Sequence, residues 1–132
     1  MGLDPKNLPI EALEFLVERH LASLTLVTID GTPHVTPVGF SWDNDRGIAR
    51  IITFAGAKKA RLLVDDGPLA AAVCQVDGGR WLTMSGPATV TADPSVNKDA
   101  ERRYAERYRP PGDRGDDRRT IEIQVQTVLG RG

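Results

Sequence analysis

The 132 residues suit one domain with a single hydrophobic core and leave too little chain for two. Seventeen Lys and Arg against eighteen Asp and Glu give a net charge of -1, which argues against nucleic acid or anionic membrane as a partner. No apolar run nears the roughly 20 residues of a membrane-spanning helix, no apolar signal core opens the chain, and a lone cysteine, Cys74, rules out disulfide staples and a zinc cluster, so a cytoplasmic protein is expected.

Pro9 to His20 reads as an amphipathic helix, with Ile10, Leu13, Leu16, Val17 and Leu21 at helical spacing and Pro9 suited to its first position. The period then changes. Leu24 to Ile29 is dense in β-branched residues and closes on Asp30-Gly31, a tight-turn pair, so a strand ends there. The return segment alternates His34, Thr36, Val38, Phe40 and Trp42 against Val35, Pro37, Gly39 and Ser41, and Pro37 marks a bulge or an edge. After a turn at Asp43 to Gly47, Ile48 to Phe54 reads as a third strand.

Ala57 to Val64 is a short helix with a basic start, stopped by Asp65-Asp66-Gly67-Pro68. Leu69 to Val76 is small and almost wholly apolar, as in a strand covered on both faces, and Asp77-Gly78-Gly79 turns it back into Arg80 to Ala92. That pair forms the long central hairpin of a barrel. From Lys98 to Arg119 fourteen of twenty-two residues are charged, which describes a solvated helix and then a mobile loop across about 96-119, with Asp99 and Arg103 as an acid-to-base helix pair. Thr120 to Val128 alternates Ile121, Ile123 and Val125 against Glu122, Gln124 and Gln126 as a half-exposed last strand. The sum is a mainly β, α+β domain of about six strands and two or three helices, suited to a small closed or split barrel.

The turn Gly56 to Arg61 has a physical case as an anion site: a helix N-terminus offers unpaired N–H groups, and Lys58, Lys59 and Arg61 add three cations. The competing reading is a solvated charged face. Neither His20 nor His34 has a nucleophile or carboxylate at telling spacing, and Cys74 sits in an apolar run as a small core residue, so all three read as structural. Hydrolase, Walker, dinucleotide and zinc-protease motifs are missing, so any enzyme activity must draw its chemistry from a bound cofactor. Trp42 and Trp81 read first as packing residues, although Trp81 at a hairpin tip is placed to cover a flat ring.

The ordered set His20 to Leu24, Asp30-Gly31-Thr32-Pro33-His34-Val35-Thr36-Pro37-Val38, Lys58-Lys59-Ala60-Arg61, Gln75-Val76-Asp77-Gly78 and Arg80-Trp81-Leu82 resembles the pyridoxamine phosphate oxidase-like split-barrel superfamily. Within it, the chain is most similar to the group B flavin/deazaflavin oxidoreductases, in the branch of F-420-dependent biliverdin reductases. The resemblance implies a homodimer of split β-barrels with cofactor grooves at the subunit interface, and hydride transfer from reduced F-420 to an organic acceptor, biliverdin or a similar conjugated heterocycle. It further implies that Lys58, Lys59 and Arg61 hold the coenzyme phosphate and that Thr53 and Phe54 line the groove. Thr36-Pro37-Val38 would run beside the ring, Gln75 and Trp81 would reach cofactor or substrate across the interface, and Arg80 would pair with acceptor carboxylates. Related split barrels imply FMN or haem as alternatives, and a non-enzymatic F-420 carrier is a third reading.

Overall fold

The computed structural model describes residues 2–132. Its strands are β1 (Gly2–Leu3), β2 (Ala22–Val27), β3 (Pro33–Val38), β4 (Ser41–Asp43), β5 (Ile48–Phe54), β6 (Leu69–Asp77), β7 (Arg80–Thr91), β8 (Arg118–Gln124) and β9 (Thr127–Arg131). Three helices join them: α1 (Ile10–Val17), α2 (Lys58–Asp66) and α3 (Pro94–Arg107), with a 3-10 turn at Gly115–Asp117. The strands pair antiparallel in the order β3-β2-β6-β7-β8-β5-β4, and β9 lies between β7 and β1. No helix among the described residues is long and apolar enough to cross a membrane.

The sheet splits along β7. Its first half pairs with β9 from Trp81 to Ser85 and its second half with β8 from Ala88 to Thr91. The division falls at Gly86, where a Cβ would lie 1.9 Å from the Gln124 carbonyl oxygen, so only glycine admits that crossing. The curled sheet encloses Leu24, Leu26, Ile51, Val73, Met84 and Ile121, each essentially without solvent exposure, and α1 caps them with Phe15 and Leu16.

Nine strands form among the described residues where about six were expected, because two expected strands are each divided and Gly2–Leu3 adds a short one. The segment from His34 to Trp42 breaks at Gly39-Phe40, where α3 side chains take both backbone groups of Phe40 and remove them from the ladder. The last strand breaks at Val125-Gln126, whose N–H groups turn to Gly47 and Ser85. Helix α1 is also rotated from its expected stripe. Ala12, Phe15 and Leu16 face inward, while Ile10, Val17 and Leu21 are exposed. Strand β6 is covered on one face only, and Cys74, expected in the core, points to the other face and is half-buried. The Ile121, Ile123 and Val125 side of the closing segment is buried, as its alternation implies.

Candidate functional site

A cleft of about 700 Å³ opens where the ends of β3 and β5 meet the start of α2 and the chain leaving α3. Pro37, Val38, Ile52 and Phe54 give it apolar walls, and Lys59, Arg109, Arg114 and Arg118 give it four cations, with no carboxylate in its lining. This is the expected chemistry of a site for a flat ring carrying an anion.

The segment after α3 forms a wall, which corrects its reading as a solvated loop. Arg118 is buried and ties three elements together, its guanidinium donating to Glu101 of α3 (2.8 Å), to the Gly112 carbonyl (2.6 Å) and to the Thr53 carbonyl (3.3 Å). The Arg114 guanidinium lies 4.2 Å over the Phe54 ring. The charges differ in how far they are answered. Glu101 compensates Arg118, Arg114 approaches Asp117 only at 3.9 Å, and Lys59 and Arg109 make no ion pair among the described residues. Partial burial pushes the Lys59 ammonium below its usual pKa, so an arriving anion would recover charge stabilisation that the free cleft lacks. Helix α2 begins beside it on Ala57, which supplies no side-chain cap, and leaves the positive end of the helix for an anion to approach.

Of the residues expected here, Pro37, Val38, Thr53, Phe54 and Lys59 are brought together in the cleft. Thr36 precedes them in β3, and its Oγ1 is buried with no hydrogen-bond partner among the described residues. Lys58 and Arg61 are exposed and lie outside the lining, so of the three basic residues of the turn Lys59 alone lines this cleft.

Three expected residues lie elsewhere. Gln75 is fully buried, its Nε2 donating to the Phe15 carbonyl at 2.9 Å and its Oε1 accepting from Arg107, so its amide is engaged in the core of this chain. Arg80 is bonded to Glu18 (2.8 and 3.0 Å) and to Asp77, and it covers the Phe15 ring, so its fork is not free for an acceptor carboxylate. Bonding to Arg80 and then to His20 holds the Glu18 carboxyl at a pKa of about 2. Trp81 stands half-buried on the outer face of β7, opposite Val76 and Arg131. Arg109, Arg114, Arg118 and Tyr104 were not expected in the site. The one signal for them is Pro110-Pro111-Gly112, a stiff bend that returns the chain toward Phe54 with an arginine on either side.

Fold and cleft together define the split-barrel class, and comparison agrees: the chain belongs to the pyridoxamine 5'-phosphate oxidase family, whose model matches residues 8–132. It is 50% identical over 121 residues to the F-420H(2)-dependent biliverdin reductase of Mycobacterium tuberculosis (strain CDC 1551 / Oshkosh), a match spanning 91% of this chain and 85% of that protein. A solved F-420 reductase superposes with a TM-score of 0.66 at 25% identity, over 88% of this chain and 94% of its own. The heme storage protein HutZ of Vibrio cholerae superposes at 0.71 with 19% identity, over 93% of this chain and 94% of its own, a likeness of fold alone.

Proposed function

We propose that this chain is an F-420-dependent reductase that passes a hydride to a conjugated heterocycle of the biliverdin type, as a cytoplasmic homodimer. The observation that carries the reading is the 50% identity to the mycobacterial F-420H(2)-dependent biliverdin reductase across nearly the whole chain. The cleft fits the coenzyme independently: a cationic, carboxylate-free end suits its phosphate, and an apolar slot between Pro37-Val38 and Phe54 suits its ring. When bound, the reduced deazaflavin supplies the hydride.

The chain's own residues then bind and orient. Lys59, aided by the start of α2 and by Arg109 or Arg114, holds the phosphate, Thr53 and Phe54 line the strand end, and Thr36 to Val38 border the ring. Arg118 keeps the β5 end and the loop together, so the cleft is formed before the ligand arrives.

A second copy has a ready place. Strands β3, β2, β6, β7 and β9 share an outer face of Val35, Thr25, Ala72, Ser85 and similar small or apolar residues, with Val35 at 56% and Val76 at 60% exposure. From Leu69 to Val76 β6 is small and apolar on both faces except for Gln75, while one chain covers only one of them. A partner on that face would cover Cys74 and Val76 and meet Trp81.

Titration of the purified protein with F-420 and FMN side by side, followed by mixing the reduced F-420 complex with biliverdin, tests the reading. Micromolar F-420 affinity and acceptor-dependent oxidation of the coenzyme are expected. Tight binding without turnover over a panel of acceptors would make the chain a carrier, and preference for FMN would overturn the coenzyme assignment. Light scattering at twice the chain mass is the expected result for the dimer.

A further inference from the structure

We infer that Arg107 and Tyr108 are positioning residues of the cleft, fixing its Pro37–Gly39 wall against the wall built from Tyr104 and the chain after α3. The inference rests on that cleft being the coenzyme site.

Arg107 is 9% exposed and has no carboxylate partner among the described residues. A buried guanidinium without a counter-ion is costly, so its retention asks for another reason. Its fork reaches three elements at once: Nε donates to the Glu18 carbonyl after α1 (2.8 Å), Nη1 to the Phe40 carbonyl (2.7 Å) and Nη2 to Gln75 on β6. A lysine in its place has no rigid fork to span those acceptors. The next residue completes the tie, since the Tyr108 hydroxyl accepts the Phe40 N–H at 3.1 Å and donates to the His20 carbonyl at 2.6 Å. Both backbone groups of Phe40 are thus held by consecutive residues at the end of α3.

Contact tolerances at the junction are small. A Cβ on Gly39 would lie 3.0 Å from the Tyr104 ring and 3.1 Å from the Tyr108 ring, and those rings sit 4.9 Å apart. On one side of the tie the chain runs back from Phe40 into Gly39, Val38 and Pro37; on the other it runs from Tyr108 straight into Arg109, Pro110 and Pro111. Both segments line the cleft, so a change at the tie alters the distance between its walls before it touches any ligand-facing side chain.

Tyr108→Phe keeps the ring and removes one hydroxyl. Amide hydrogen exchange on the ligand-free variant should quicken at least about tenfold at Phe40, where a hydrogen bond is lost, while Val73 and Ile121 stay protected. In titration its F-420 dissociation constant should rise about 3- to 10-fold. Arg107→Lys should shift both readouts the same way. Ile123→Val, a core truncation away from the cleft, controls for loss of stability and should leave affinity unchanged.

Unaltered Phe40 exchange in Tyr108→Phe would overturn the tie. So would raised exchange with unchanged F-420 affinity, or an equal affinity loss in Ile123→Val. Failure of the unsubstituted chain to bind F-420 would instead defeat the proposed function, and the exchange data would still decide whether the tie holds the wall.

Discussion

Removing the Lys59 ammonium is the sharpest test of how the cleft holds an anion. Lys59 lines the cleft, is partly buried, and has no carboxylate to release when a ligand arrives, so its full charge is available. A charge-assisted hydrogen bond in such a setting contributes about 1.5 to 3 kcal/mol, and Lys59→Ala should therefore weaken F-420 binding about 10- to 150-fold. Lys58→Ala and Arg61→Ala remove equal charges from exposed positions outside the lining, and each should change affinity by about twofold or less. The pH dependence has a definite sign. Burial lowers the Lys59 pKa in the free protein, and the anion prefers the protonated amine. Affinity should be complete at pH values below that lowered pKa and fall as pH rises through it, earlier than for an ordinary lysine. Lys59→Arg should move that fall to higher pH. Fluorescence titration of F-420 across the series measures all of this, and an equal loss in Lys58→Ala, or none in Lys59→Ala, would refute the assignment.

Arg114→Ala should weaken coenzyme binding about threefold and reduce its salt dependence, since it removes a half-exposed cleft cation and its stack on Phe54; titration at two ionic strengths reads both. Gln75→Leu should cost about 3 kcal/mol in urea unfolding, because it strands the Arg107 fork and the Phe15 carbonyl in the core, with stability lost more than ligand affinity. Asp43→Asn should cost about 3 kcal/mol, leaving Arg50 and Arg103 short of their shared buried carboxylate. Burial opposes ionisation of Asp43, but Arg50, the Arg46 N–H and Arg103 outweigh it and hold its pKa below the usual value. Its contribution is therefore present above the ordinary carboxylate range and lost as pH falls through the lowered value, so Asp43→Asn should flatten the acid limb of the unfolding curve.

The hairpins were legible because strand alternation and turn pairs are local. Asp30-Gly31 closes β2 onto β3, and Ile121, Ile123 and Val125 face inward as their spacing implies. Helix α1 was misread in rotation because Phe15, the largest side chain it buries, lies off the stripe of Ile10, Leu13 and Val17, and period alone does not say which apolar face meets the core. The break at Phe40 had no local signal at all. It depends on Arg107 and Tyr108, 67 and 68 residues further along the chain. The basic turn was visible as a run of cations, but that Lys59 and not Lys58 or Arg61 lines the cleft depends on which side of α2 meets β5 and the loop.

A near-zero net charge argued against nucleic acid or anionic membrane as a partner, yet one cleft is cationic, and the two facts fit once the pairing of charges is followed. Six acidic residues are held in named partnerships: Asp43 and Glu122 with Arg50, Asp99 with Arg102 and Arg103, Glu101 with Arg118, and Glu18 and Asp77 with Arg80. These pairs lie within the sheet, along α3, between α3 and β8, or between the end of α1 and the β6–β7 turn, and none places a carboxylate in the cleft lining. The outer face of β3, β2 and β6 is left almost without charge, while Lys59 and Arg109 remain unpaired among the described residues at the mouth of one slot. Overall charge governs long-range steering, whereas retention of a phosphate depends on the few cations that the fold leaves without a carboxylate. In this chain Glu101 of α3 answers the buried Arg118, while Lys59 and Arg109 are left without a carboxylate among the described residues.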